Sequence, residues 1–199
     1  MGIKEVKTEY ITAAATKLFL ERSISEITIK DIAEAADVGE ATVYRYFGGK
    51  KGIVAASATL LQKRVYQNFY TLDGANGYDK ISRFYDSYRV IFNEHREYYK
   101  FINEFDVFAL AEGVGDLNEY SDGLDLFKSE FLIAYREGVF DGSVRQIDDV
   151  EAFYYSTTHA LLGLCKKLAT DKIVPQDDAI SKEAEINSLI NVILAYLKK

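Results

Sequence analysis

Thr42, Tyr44, Arg45, Tyr46 and Lys50 crowd into one short stretch of the chain. What they offer is hydrogen-bond donation: a hydroxyl, two phenols, a guanidinium and an ammonium. Groups of this kind bind phosphate oxygens and the edges of bases. Thr42 and Ala41 stand first in the stretch and suit base edges, the alanine methyl lying against a thymine methyl. Tyr44, Tyr46 and Lys50, with Thr28 and Lys30 upstream, suit phosphates. Arg45 suits either partner.

Two short helices joined by a tight turn would hold these groups. Thr28, followed three positions on by Asp31, has the form of a capping box. Ile29, Ile32, Ala33 and Ala36 share one face at helical spacing. Asp37 tolerates the left-handed backbone that a helix-ending turn requires. Val38 plugs the corner and Gly39 is an acceptable N-cap for the next helix. In that helix Val43 and Phe47 face inward, which leaves Glu40, Ala41, Thr42, Tyr44 and Arg45 outward. A helix of this size enters the major groove N-terminus first. Pattern alone also allows a plain helical corner with no nucleic-acid partner.

The stretch from Thr28 to Lys50 resembles the helix-turn-helix of the TetR family of bacterial repressors. Thr28, Ile32, Ala33, Ala36, Val38, Thr42, Tyr44, Tyr46, Phe47 and Lys50 stand at the family's motif positions. Upstream, residues 10–19 (YITAAATKLF) match the family's opening helix, so the resemblance covers about residues 8–60. Asp37 stands where the family prefers Gly, and Gly39 where it prefers Ser. Gly48, Gly49 and Gly52 imply a loose entry to the fourth helix and a soft coupling through it.

Composition bounds the remaining chemistry. The chain has 199 residues, 48% of them apolar and 28% charged, in keeping with a soluble globular protein. One Pro leaves long helices uninterrupted. A single Cys excludes an internal disulfide framework and suits a reducing cytoplasm. No leader is expected from the sequence, which has no apolar run long enough to span a bilayer. The net charge of −7 is unusual for a DNA-binding protein. Residues 1–51 carry eight basic and eight acidic side chains, leaving sixteen basic and twenty-three acidic beyond them. Arg45, Lys50, Lys51 and Lys30 therefore make a local positive face on an acidic body.

These features predict an all-α protein of about nine helices, with a three-helix DNA-binding head over residues 1–49 and a helical body over 50–199. Beyond a first helix over 4–22, helices are expected over 50–72, 78–94, 96–111, 121–140, 148–170 and 179–198. Residues 73–77 read as a turn and 112–120 as a Gly- and acid-rich loop. The body's helices are crowded with aromatic residues. Most belong to a core, but several tyrosines near Thr158, His159 and Asn103 suggest an apolar cavity with a few polar handles. The resemblance puts a ligand pocket among the fourth to eighth helices. Leu61, Val65, Phe84, Tyr88, Phe92, Phe105, Phe108, Phe127, Phe131, Tyr155 and His159 are its candidates, for a small hydrophobic or aromatic molecule.

Tyr154, Thr157, Leu161 and Leu164 step at coiled-coil spacing beside the small-residue stripe Ser156, Ala160 and Gly163. Ile186, Ile190, Ile193 and Leu197 make a second stripe. Packing within one chain accounts for both, but the resemblance implies a homodimer built on this helix pair. No phosphate-binding, nucleophile or zinc-protease motif occurs, no metal or cofactor is called for, and an enzyme is not expected. The expected function is a cytoplasmic, ligand-responsive repressor of a double-stranded DNA operator. The alternative is a helix-turn-helix regulator controlled by a protein partner.

Overall fold

The computed structural model describes residues 2–70, 72–170 and 172–199, with backbone only at Ile3 and Asp178. Among the described residues it is all-α, with nine helices: α1 (Ile3–Glu21), α2 (Ile29–Ala35), α3 (Glu40–Phe47), α4 (Lys50–Phe69), α5 (Gly77–Glu94), α6 (Arg96–Glu112), α7 (Asn118–Asp141), α8 (Val150–Ala169) and α9 (Lys182–Leu197). A 3₁₀ turn, Pro175–Asp178, precedes α9. The expected last helix is therefore shorter at its start, because Ser181 caps α9 by accepting the Ala184 N–H at 3.1 Å. The fourth helix stops at Phe69 rather than at 72, and position 71 lies outside the described residues. The loop after α6 is shorter than expected, since α7 already begins at Asn118.

Two compact units emerge. Unit 1 comprises Met1–Arg64 and Lys100–Gly123; unit 2 comprises Val65–Tyr99 and Leu124–Lys199. Helices α4, α6 and α7 contribute residues to both.

In unit 1, Ile11, Ala15 and Phe19 of α1 are buried with Ile32 and Ala33 of α2 and Val43 of α3. Ile24 and Ile27 fill the loop between α1 and α2. Phe101 brings α6 into this core, its ring 6.1 Å from that of Phe19.

Unit 2 is built on α5, α8 and α9 with most of α7. Phe84 of α5 is its hub, packing edge-on against Tyr70, Tyr85 and Phe131 at centroid distances of 5.2, 5.4 and 5.4 Å. Gly77 belongs to α5 and not to the preceding turn, because it is where α5 crosses α7. A Cβ there would lie 2.0 Å from the Gly138 nitrogen. The Gly77 N–H donates to the Asp141 carboxylate at 2.8 Å, and Asn76 caps the helix through the Asp79 N–H.

Candidate nucleic-acid interface

Local chemistry determines how α2 and α3 are held. The Thr28 N–H and hydroxyl both donate to the Asp31 carboxylate, at 2.7 and 2.6 Å, while the Asp31 N–H returns to the hydroxyl at 3.2 Å. The Thr28 hydroxyl bond, helped by the amide, holds the Asp31 carboxyl below its ordinary range. Asp37 adopts φ 48°, the left-handed turn expected of it. Gly39 caps α3, and Gly48 ends it in the left-handed region. The turn into α4 is tight rather than loose. At Gly52 a Cβ would fall 2.0 Å from the Phe47 carbonyl oxygen, so only glycine lets α4 start this close to α3.

Helix α3 buries Val43 completely, with Phe47 half-buried beside it. Ala41, Tyr44 and Arg45 are exposed, and Thr42 and Tyr46 are half-exposed. The Arg45 guanidinium lies 5.2 Å from the centre of the Tyr46 ring and makes no ion pair among the described residues. The other cations are engaged. Exposed Lys30 pairs with Glu34 at 3.9 Å, one helical turn on. Lys50 is half-buried, its Nζ 3.5 Å from the Ser25 carbonyl oxygen, and burial lowers the pKa of its ammonium. Lys51 donates to the Glu112 carbonyl and lies 3.6 Å from that residue's carboxylate. Thr28 reaches a phosphate only by exchanging its bond to Asp31, and Lys50 only by turning from Ser25. Arg45 and Tyr44 need no such rearrangement.

The ligand-pocket candidates are dispersed. Leu61, Phe105 and Phe108 belong to unit 1 and the other eight to unit 2. Within unit 2, Val65, Phe84, Tyr88, Phe92, Phe127 and Phe131 are brought together, but as a packed core, with Phe84 and Phe131 sealed from solvent. Tyr155 and His159 do not join them. Both lie on the exposed side of α8, their rings 5.7 Å apart, because the inward side is already taken by Tyr154, Thr158 and Leu161. Thr158, expected as a polar handle, returns its hydroxyl to the Tyr154 carbonyl at 2.7 Å.

The stripes expected at a dimer interface divide by burial. Tyr154, Leu161, Ile186, Ile190, Ile193 and Leu197 are buried inside unit 2, so they hold the monomer together. The most apolar stripe of each helix goes to the chain's own core, where burying one such side chain contributes about 1.5–3 kcal/mol. Thr157 is half-buried, hydrogen-bonded to the Tyr85 phenol at 2.7 Å, and Leu164 is half-buried. Ala160 is exposed, flanked by Ser156 and Gly163 on α8. On α9 the corresponding exposed stripe is Ala184, Ser188, Val192 and Ala195.

Sequence reasoning missed Glu104. From α6 its carboxylate accepts the Ser23 hydroxyl at 2.9 Å and the Ile24 N–H at 2.7 Å, tying the loop between α1 and α2. No local pattern links residues so far apart in the chain.

Residues 11–57 match the model of bacterial regulatory proteins, tetR family. The HTH-type transcriptional regulator AlkX of Mycobacterium tuberculosis is 32% identical over 81 residues, 41% of this chain and 38% of that protein. The chain thus aligns with well under half of its curated relative. Among solved structures, the fatty acid degradation regulator FadR from Bacillus halodurans superposes with a TM-score of 0.68 at 18% identity, covering 98% of this chain and 96% of that one. PfmR, a TetR-family regulator from Thermus thermophilus, gives 0.65 at 20% identity, covering 95% and 99%. At such identities the likeness is one of fold.

Proposed function

We propose, on the match of residues 11–57 to bacterial regulatory proteins of the tetR family, that the chain is a homodimeric transcriptional repressor, released from a palindromic operator by a small molecule. Residues 1–49 form the DNA-binding domain and residues 50–199 the body that pairs and responds. The observation that carries this reading is the outward side of α3, where Ala41, Tyr44 and Arg45 are exposed and Thr42 half-exposed over a fully buried Val43, with no ion pair to Arg45 among the described residues. Two copies of α3 enter successive major grooves, about 34–36 Å apart. Ala41 and Thr42 read base edges, Tyr44, Tyr46, Lys50, Lys30 and the Thr28 cap hold phosphates, and Arg45 serves either role.

Pairing uses the exposed stripes of α8 and α9. Small side chains at Ala160 and Gly163, and at Ala184 and Ser188, let partner helices approach closely. A ligand acts by favouring a head arrangement that no longer matches the operator, which requires different affinity for the two states. Selection of bound duplexes from a random pool tests the reading: a palindromic consensus is expected, and Thr42→Val should change its bases. A pool with no consensus would overturn it. The sealed aromatic core of unit 2 favours a second reading, in which a protein partner supplies the signal.

A further inference from the structure

A groove of about 650 Å³ lies within unit 1, between α1, α4 and the chain from Val114 to Tyr120. Its size is that of a site for a small organic molecule. Ala13, Ala56 and Leu60 supply apolar lining. Three hydroxyl side chains line it as well: Thr12 of α1, Thr59 of α4 and Tyr120 of α7. Thr12 and Thr59 are only 6% and 9% exposed, yet none of the three hydroxyls makes a hydrogen bond among the described residues. Thr12 departs here from its own helix. Thr8 and Thr16, one turn to either side, return their hydroxyls to the carbonyls of Lys4 and Thr12 at 3.0 and 2.7 Å. A nearly buried hydroxyl is ordinarily paired, and these three border one shared space.

The charged groups of the lining fall into two sets. Lys51 is answered by the Glu112 carboxylate at 3.6 Å, and Lys63 by Glu119 at 3.5 Å. Asp116 accepts the Asn118 N–H at 3.1 Å at the start of α7, where the helix dipole favours an acid. Arg64 and Glu9 are both exposed, and neither has an ion-pair partner among the described residues. They do not pair with each other, although both line the groove. The groove thus offers one unanswered cation and one unanswered carboxylate, together with apolar carbon and free hydroxyls. A ligand of single charge would satisfy one of the two and face the other as a like charge, and a neutral one would satisfy neither.

We infer that this groove seats a small zwitterion with an apolar body, the chemistry of an amino acid with an apolar side chain. Its anionic group meets Arg64 and its cationic group Glu9, the two sharing the hydroxyls of Thr12 and Thr59, while its body covers Ala13, Ala56 and Leu60. This deepens the ligand-responsive reading and rests on it for its regulatory consequence, but not for binding itself.

Ligand-observed NMR on the full chain tests it with three probes of one carbon frame. Phenylalanine carries both charges, 3-phenylpropionate lacks the ammonium and phenethylamine lacks the carboxylate. Phenylalanine should bind about fivefold more tightly than either, the scale of one partly exposed ion pair, and should shift the methyl resonances of Ala13 and Ala56. Arg64→Gln should erase its advantage over phenethylamine alone, and Glu9→Gln its advantage over 3-phenylpropionate alone. Both positions are exposed, so neither substitution disturbs the fold. Thr59→Val should weaken all three probes about fivefold. Equal binding of the three probes, an advantage untouched by Arg64→Gln or Glu9→Gln, or unmoved Ala13 and Ala56 methyls would overturn the site. Binding as expected, but with no change in operator affinity, would leave the site standing and overturn small-molecule control through it.

Discussion

The Glu104 carboxylate on α6 accepts the backbone N–H of Ile24 at 2.7 Å, and with it the Ser23 hydroxyl at 2.9 Å. Ile24 is buried in the loop that joins the first two helices of the head. One acidic oxygen thus fixes that loop from a helix that does not contact DNA in the proposed complex. Replacing Glu104 by Ala should leave the Ile24 amide without its acceptor and destabilise the head by about 1–3 kcal/mol. Hydrogen exchange reads this directly: protection at Ile24 should fall, while protection of amides in α8 should be unchanged.

Tyr44 is about half exposed, and its phenol makes no hydrogen bond among the described residues. Tyr44→Phe removes only the hydroxyl that the proposal assigns to a phosphate. Affinity for all duplexes should fall alike, by roughly three- to tenfold, with an unchanged melting temperature. A gel-shift series over several sequences checks this, and unchanged affinity would remove Tyr44 from the phosphate contacts.

Burial on α8 and α9 separates two classes of substitution. Ile190→Ala opens a cavity in the core of unit 2 and should cost about 2–5 kcal/mol of monomer stability. Ala160→Arg lies on the exposed stripe and should leave the monomer's fold intact while abolishing the dimer. Sedimentation velocity with a thermal melt on each variant distinguishes them.

Gly77 and Gly138 bring α5 and α7 within backbone contact. Gly77→Ala places a methyl where the Gly138 backbone already is, so the two helices must separate. The expected cost is about 1–3 kcal/mol, measured by denaturant midpoint against native protein.

Asp177 anchors the turn before α9. Lys167 donates to its carboxylate at 2.9 Å, and the N–H groups of Ile173 and Val174 add bonds at 2.8 and 3.1 Å. These hold its pKa at about 2, below the ordinary 3.8. A carboxyl with a depressed folded pKa stabilises above its unfolded value and loses that contribution as pH falls through the folded one. Asp177→Asn should therefore lower the melting temperature at neutral pH, and the difference from native protein should shrink between about pH 4 and pH 2. A constant difference across that range would show that the carboxylate's charge plays no part.

The head was legible because its determinants are local. The Thr28–Asp31 cap, the left-handed Asp37, the Gly39 cap and the inward Val43 are set by neighbours within a few residues, and each stands where its residue type requires. The all-helical architecture followed from periodicity for the same reason. The assignment of faces in the body did not. Tyr155 and Tyr154 are adjacent, and composition cannot say which turns outward; that depends on which side of α8 meets α5 and α9. Periodicity marks the apolar stripe of a helix, but only packing decides whether that stripe meets its own chain or another.

The same limit hid the closest contacts. Gly52 read as slack and proved tight, because the Phe47 carbonyl oxygen that requires it comes near only once α3 and α4 have formed. Glu104 and Gln62 are ordinary polar residues in sequence. What sets them apart lies across from them: two donors in a distant loop for Glu104, and for Gln62 a glycine with no hydrogen-bonding side chain, which leaves its buried amide without a partner among the described residues. Short-range sterics and capping fixed the helices and the polar side of α3. Long-range packing alone determined which side chains were sealed, which were left exposed and where an amide remained unmatched.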